Sequence, residues 1–173
     1  MRHFLLATAA MAFVAFGLAA PAHAADNTLG FGLHYWRAVD DLRSEGFDVD
    51  RSGTSGIVSY QYAPGGLLKI EGDFEYFDKG FGGANKAAYS PQLYLVVGGS
   101  LYGALGVGVT YSKGFPHSNF SDPFYAARVG LDFILLPRVH LDVNANYRFN
   151  AWNQLKNADT GTVTLGALVR FGF

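Results

Sequence analysis

The sequence predicts an all-β fold, an eight-stranded antiparallel up-and-down transmembrane β-barrel preceded by a cleavable signal peptide. Three observations predict it. Strand-length segments alternate apolar with polar residues, tight turns alternate with long connections, and the apolar N-terminus closes on a small-x-small site. Side chains on a strand point to opposite sides with period two, so such a segment gives one face to oil and the other to a polar interior. The last segment is the plainest. Val163, Leu165, Ala167, Val169, Phe171 and Phe173 share one face, and Thr162, Thr164, Gly166, Leu168 and Arg170 the other.

Residues 1–24 have the parts of an export signal: Arg2, an apolar stretch from Phe4 to Leu18, and Ala22-His23-Ala24. A mature domain over 25–173 is one domain's length. No other stretch approaches the ~20 apolar residues a spanning helix needs. The chain is nevertheless rich in Gly, Tyr and Phe, which suits a wall whose apolar residues come one in two. With no cysteine, neither a disulfide framework nor a cysteine metal site is available. Basic and acidic residues nearly balance, which argues against nucleic acid as a partner.

Eight strands follow in order. The first, Leu29 to Arg37, sets Leu29, Phe31, Leu33 and Tyr35 against Gly30, Gly32, His34 and Trp36. The second, Gly53 to Tyr62, turns Val58, Tyr60 and Tyr62 outward. In the third, Leu67 to Phe77, Leu68, Ile70, Phe74 and Tyr76 oppose Lys69, Glu71, Asp73 and Glu75. The fourth, Tyr89 to Val97, turns Leu93, Leu95 and Val97 out and Gln92 and Tyr94 in. Pro91 cannot donate to a ladder and is expected near that strand's upper end or at a bulge. The fifth, Leu101 to Tyr111, sets Leu105, Val107 and Val109 against Tyr102, Gly106 and Gly108. The sixth, Phe124 to Leu135, sets Tyr125, Val129, Leu131 and Phe133 against Arg128, Gly130 and Asp132. The seventh, Arg138 to Phe149, sets Val139, Leu141, Val143 and Tyr147 against His140, Asp142, Asn144, Asn146 and Arg148. The eighth is the terminal segment.

Ala63-Pro64-Gly65-Gly66, Gly98-Gly99-Ser100 and Leu136-Pro137 read as tight turns. Residues 38–52, 78–88, 112–123 and 150–160 read as long loops. Short turns at one end and long loops at the other are the asymmetry of outer-membrane barrels, with termini and turns periplasmic and loops outside the cell.

The charges decide which face is wet. Lys69, Glu71, Asp73, Glu75, Arg128, Asp132, Asp142, Arg148 and Arg170 all fall on the non-apolar faces. Turning all of them to lipid would cost on the order of 10–20 kcal/mol, more than a typical domain's stability. They must face inward, with His140 as a further member. An eight-stranded barrel is only wide enough for its side chains to fill, so a paired network plugging the lumen is expected. Pairing of strands seven and eight would bring Arg170 near His140 and Asp142, and inward glycines would leave room for Tyr94, Tyr102 and Trp36. Outward aromatics gather at strand ends, as at headgroup levels. Tyr35, Tyr76, Tyr89, Tyr111, Tyr125 and Tyr147 lie toward the loops, and Tyr62, Phe133, Phe171 and Phe173 toward the turns.

On these residues the domain resembles the small eight-stranded outer-membrane barrels, the OmpA transmembrane domain and OmpX among them. The segment from Gly166 to Phe173, with Val169, Phe171 and Phe173, is similar to the terminal signal by which the barrel assembly machinery recognises such chains. Leu168 stands where that pattern favours glycine. The resemblance implies an outer-membrane location in a Gram-negative cell and lipids, including lipopolysaccharide, as neighbours. It implies any of several roles: structural protein, adhesin or evasion factor, narrow channel, or lipid-modifying enzyme.

Candidate chemistry is sparse. Asp48 to Gly53 begins like a calcium loop, but the twelfth position holds Ser59 instead of the bidentate Glu, so an acidic solvated loop is expected, with Asp40, Asp41 and Glu45 adding to it. His117-Ser118-Asn119 is similar to the His-x-Ser-Asn of outer-membrane lipid A deacylases, with the intervening residue missing. His34 and His140 lack a second histidine at ligand spacing. The expectation is a structural or surface-interaction barrel, not an enzyme, with no metal or cofactor and a possible extracellular partner on its loops. A narrow channel is the alternative. An exported lipocalin-like binder would need the reverse assignment of faces.

Overall fold

The computed structural model describes residues 26–38, 52–81, 84–115, 118–151 and 162–173. Its strands are β1 (Asp26–Ala38), β2 (Ser52–Gly65), β3 (Leu68–Phe77), β4 (Ala88–Gly98), β5 (Leu101–Gly108), β6 (Phe124–Leu136), β7 (Val139–Phe149) and β8 (Thr162–Gly172). Each pairs antiparallel with the next, and β8 returns to β1 from Thr28↔Gly172 to Ala38↔Thr162, closing the barrel. The signal-peptide segment and the acidic stretch from Asp40 to Arg51 lie outside the described residues.

Strand boundaries move for local reasons. β5 stops at Gly108 instead of Tyr111. Opposite that point Pro91 has no N–H to give, so only its carbonyl joins, accepting from Val109 N at 3.3 Å. Tyr111 then pairs with Tyr89 as an isolated bridge. Pro91 therefore sits where the β4–β5 ladder lapses. β7 begins at Val139 because Arg138 adopts a φ of 68° and belongs to the turn. β2 runs on to Gly65 through a register shift after Tyr62, leaving Gly66 and Leu67 as the turn, both glycines with positive φ.

The two faces are inverted relative to a water-soluble barrel. Leu33, Leu95, Leu105, Val129 and Leu165 stand exposed on the outer wall, while Glu71, Glu75, Arg128 and Arg170 are buried inside. A continuous apolar belt of this extent is unsuited to water and matched to acyl chains. The period-two pattern thus places the apolar side in lipid and the ionised side in the lumen.

Candidate functional site

The lumen is filled by three connected layers. Toward the turns, Glu71 accepts from Arg128 Nη1 at 2.6 Å, Arg170 Nη2 at 3.0 Å and Gln61 Nε2 at 2.7 Å. Arg170 also donates to Ser59 Oγ at 2.8 Å and from Nε to Asp142 at 3.3 Å. Asp142 further accepts from the Tyr102 hydroxyl at 2.8 Å and Asn144 Nδ2 at 2.7 Å. Arg128 spans to the next layer, donating to Asp73 at 2.6 Å and lying 4.0 Å above the Tyr94 ring. Nearer the loops, Glu75 accepts from His34 Nδ1 at 3.0 Å, Gln92 Nε2 at 3.0 Å, Ser55 Oγ at 2.5 Å and Arg148. Charges taken from water need partners, and each of these carboxylates has at least one guanidinium.

An aromatic cap covers this stack on the loop side. Phe81 stacks on Phe77 with centroids 3.7 Å apart, and Trp36 meets Phe81 edge-on at 5.0 Å. The Arg148 guanidinium lies 5.2 Å from the Phe77 and Phe124 centroids and 5.9 Å from Phe81, joining cap to ion pairs by cation–π contact. The connections behind the cap are bonded together. Asn85 N donates to Gly114 O, and Ser112 Oγ donates to Ala87 O at 3.0 Å. Deep rings are admitted by glycines directly across the ladder. A Cβ on Gly106 would run into Tyr94, and one on Gly130 into Tyr102.

No protein-family model and no curated protein matches the sequence. Solved structures do. The neisserial surface protein A, NspA, superposes with a TM-score of 0.56 over 87% of this chain and 100% of its own, at 19% identity. The fold is that of the small eight-stranded outer-membrane β-barrels. The attachment invasion locus protein Ail of Yersinia pestis, solved with the heparin analogue sucrose octasulfate, gives a TM-score of 0.50 over 86% of this chain and 99% of its own, at 18% identity. The outer-membrane enzyme PagL gives 0.50 over 84% and 98%, at 14% identity. At these identities the likeness concerns architecture, and the same barrel carries binders and an enzyme.

Within this barrel, the sequence-derived charges fall into two groups. Glu71, Asp73, Glu75, Arg128, Asp142, Arg148 and Arg170 are buried together. Asp132 and His140 form a separate, half-buried pair at 2.9 Å near the turns. Lys69 is half-buried and makes no ion pair among the described residues. Arg170 faces His140 across the ladder but sends its side chain to Asp142, and His140 turns to Asp132.

Tyr35, Tyr76 and Tyr89 are exposed at the loop end, with Tyr76 and Tyr89 5.4 Å apart, and Tyr125 and Tyr147 are partly covered. Tyr111 is off the strand, tilted on Phe120 at 5.0 Å. Phe171 and Phe173 are exposed at the turn end, with Val169 on the same wall. Of the deacylase-like triplet, His117 lies outside the described residues, and Ser118 Oγ accepts from Phe120 N at 3.1 Å.

Sequence reasoning missed the cap residue Phe81 and the lumen roles of Ser55, Ser59 and Gln61. The latter three share the inward parity of β2, so alternation alone could have found them. Phe81 sits in a connection without periodicity and gave no such signal.

Proposed function

We propose that this chain is an integral outer-membrane barrel with a structural or surface-interaction role, its lumen closed to solutes. The observation that carries this reading is the continuous occlusion from the Glu71–Arg128–Arg170 cluster to the Trp36–Phe77–Phe81 cap. With transport removed, the loop end becomes the working face, and an adhesion- or evasion-type contact with an extracellular partner is the activity it suits. Lipids including lipopolysaccharide surround the belt, and Val169, Phe171 and Phe173 serve recognition by the barrel assembly machinery. No catalytic step is assigned, because the outer wall carries Leu, Val and aromatic side chains where a lipid-acting nucleophile and base would have to stand.

Planar-bilayer recordings of the refolded protein test the closed lumen, and the expected result is no reproducible single-channel steps. Steps of uniform conductance would replace this reading with the narrow channel. Replacing the residue 38–52 and 150–160 connections in turn by short linkers should abolish cell attachment or serum survival while leaving the barrel folded. Unchanged attachment and survival in every loop variant would remove the surface role.

A further inference from the structure

The outer wall is not uniform. On its β3–β6 side, Leu93 and Leu95 of β4, Leu105 and Val107 of β5 and Tyr125 of β6 enclose a groove of about 370 Å³. That volume lies within the about 300–1,000 Å³ of ligand pockets. The lining is almost wholly apolar, and Gly106 is its floor. Gly106 brings no side chain, and the Tyr94 ring covers its inner side, 2.4 Å from where a Cβ would stand.

Loopward of the groove, the wall becomes aromatic and then cationic. Tyr76↔Tyr89, Tyr89↔Tyr111 and Tyr111↔Phe120 pair in succession, so four rings form one row at the loop ends of the strands. Such rings mark the headgroup level. Beyond them the β5–β6 connection is still paired, Ser112 N donating to Asn119 O at 2.9 Å. Thr110 and Ser112 are buried, whereas Leu105, Val107, Val109, Tyr111 and Lys113 have the outward parity. Lys113 therefore stands just above the aromatic row. Lys86 is brought beside it. Asn85 N donates to Gly114 O at 3.3 Å, and a Cβ on Gly114 would stand 2.5 Å from Lys86 N. Both lysines are exposed, and neither makes an ion pair among the described residues. Connections 78–87 and 109–123 carry Lys79, Lys86 and Lys113 against Asp78 and Asp122. Asp78, following β3, accepts from the Tyr76 hydroxyl at 3.3 Å.

Depth relates the cations to the groove. Val107 lies six residues before Lys113, about 20 Å of strand at ~3.3 Å per residue. At a strand tilt of ~40° this is roughly 15 Å of depth, half of a ~30 Å hydrocarbon core. We propose that this wall binds one phosphorylated lipid of the outer leaflet, its phosphate on Lys86 and Lys113 and one acyl chain laid along β5 into the groove over Gly106. The chain is the occupant because the groove opens into the apolar belt. The phosphate follows because unpaired ammonium groups at headgroup level attract anionic lipid. The site rests on the reading that lipopolysaccharide neighbours the belt, and it selects the strands that hold it.

The test is native mass spectrometry of the full barrel, refolded in detergent and released with bound lipid. The probes are diphosphorylated lipid A, the same lipid dephosphorylated, and phosphatidylethanolamine. One diphosphorylated lipid A should be retained per barrel, roughly tenfold more tightly than its dephosphorylated form. Lys86→Gln with Lys113→Gln should erase that preference, and Arg138→Gln, at the turn end, should keep it. Leu105→Trp, which fills the groove, should weaken both forms. Leu33→Trp, on the far wall, should weaken neither. Equal retention of the two lipid A forms by the unmodified barrel would overturn the proposal even if no variant refolds. So would an undiminished preference in the double lysine variant, equal binding by Leu105→Trp and Leu33→Trp, or a doubled protein mass that Leu105→Trp abolishes, which would give the groove to a second copy. Lost selectivity in a barrel that still inserts into lipid A vesicles rejects the site alone, whereas failure to insert rejects the reading beneath it.

Discussion

Replacing Glu71 by Gln should destabilise the barrel by about 3 kcal/mol, the lower end of the about 3–5 kcal/mol range for stripping one partner from a buried ion pair. Glu71 receives one N–H from each of Arg128 and Arg170, so its loss affects two buried guanidiniums at once. Each arginine keeps another carboxylate, Asp73 for Arg128 and Asp142 for Arg170, which is why the lower end applies. Glutamine preserves the volume and can still accept, so the difference measured is charge. With a urea slope of roughly 1–3 kcal/mol per molar, the midpoint falls by about 1–3 M. The assay is equilibrium unfolding of refolded protein, followed by tryptophan fluorescence and by heat-modifiable gel mobility. Lys69→Gln, at the half-buried position without an ion pair among the described residues, should stay within about 0.5 kcal/mol. A Glu71→Gln midpoint no lower than that of Lys69→Gln would refute the reasoning, because the cluster would then not hold the barrel together.

Three further outcomes follow from the wall, the cavities and the turns. Leu95→Lys, in the middle of the exposed belt, should cost about 2–4 kcal/mol in lipid vesicles, whereas an equal midpoint for both proteins would contradict lipid contact there. Gly130→Val should force the Tyr102 ring aside and cost about 1–3 kcal/mol, read as a lower urea midpoint, with Tyr102→Ala restoring part of the loss. Arg138→Gly, relieving a side chain held at a φ of 68°, should stabilise the barrel by about 1 kcal/mol, read as a higher urea midpoint, and a lower midpoint would mean that the arginine side chain stabilises the turn.

The eight strands were legible because a membrane wall enforces strict alternation, so Leu68 to Glu75 or Val139 to Arg148 reveals both faces without any knowledge of the partner strand. Boundaries were less legible where one residue's backbone chemistry overrides its pattern. Arg138 keeps the right parity for β7 but takes a left-handed turn conformation, and Pro91 ends the neighbouring ladder from across the sheet. The lumen composition could be read, since inward parity named Glu71, Arg128 and Arg170, but their partners depend on register across non-adjacent strands. The Arg128–Glu71 contact joins residues on β6 and β3 across the lumen. Alternation within one strand carries no information about that distance. The cap was invisible for a related reason: Phe81 gains its meaning only from Phe77 and Trp36, which belong to two other segments.

The pairing of β1 with β8 makes the first and last strands into a seam. Phe173 N reaches Asn27 O at 2.9 Å, and Gly172 N is held by Arg138 O at 2.7 Å, so the final residues act as a clasp. Neighbouring strands zip across tight turns or across the longer loops, but Ala38↔Thr162 encloses nearly the whole domain, about tenfold more chain than those loops and roughly 2 kcal/mol more closure entropy. Closure entropy therefore favours zipping from the hairpins first and fastening the clasp last. Until it fastens, β1 and β8 each present a bare edge, and a nascent cylinder is vulnerable to wrong neighbours along those two lines alone.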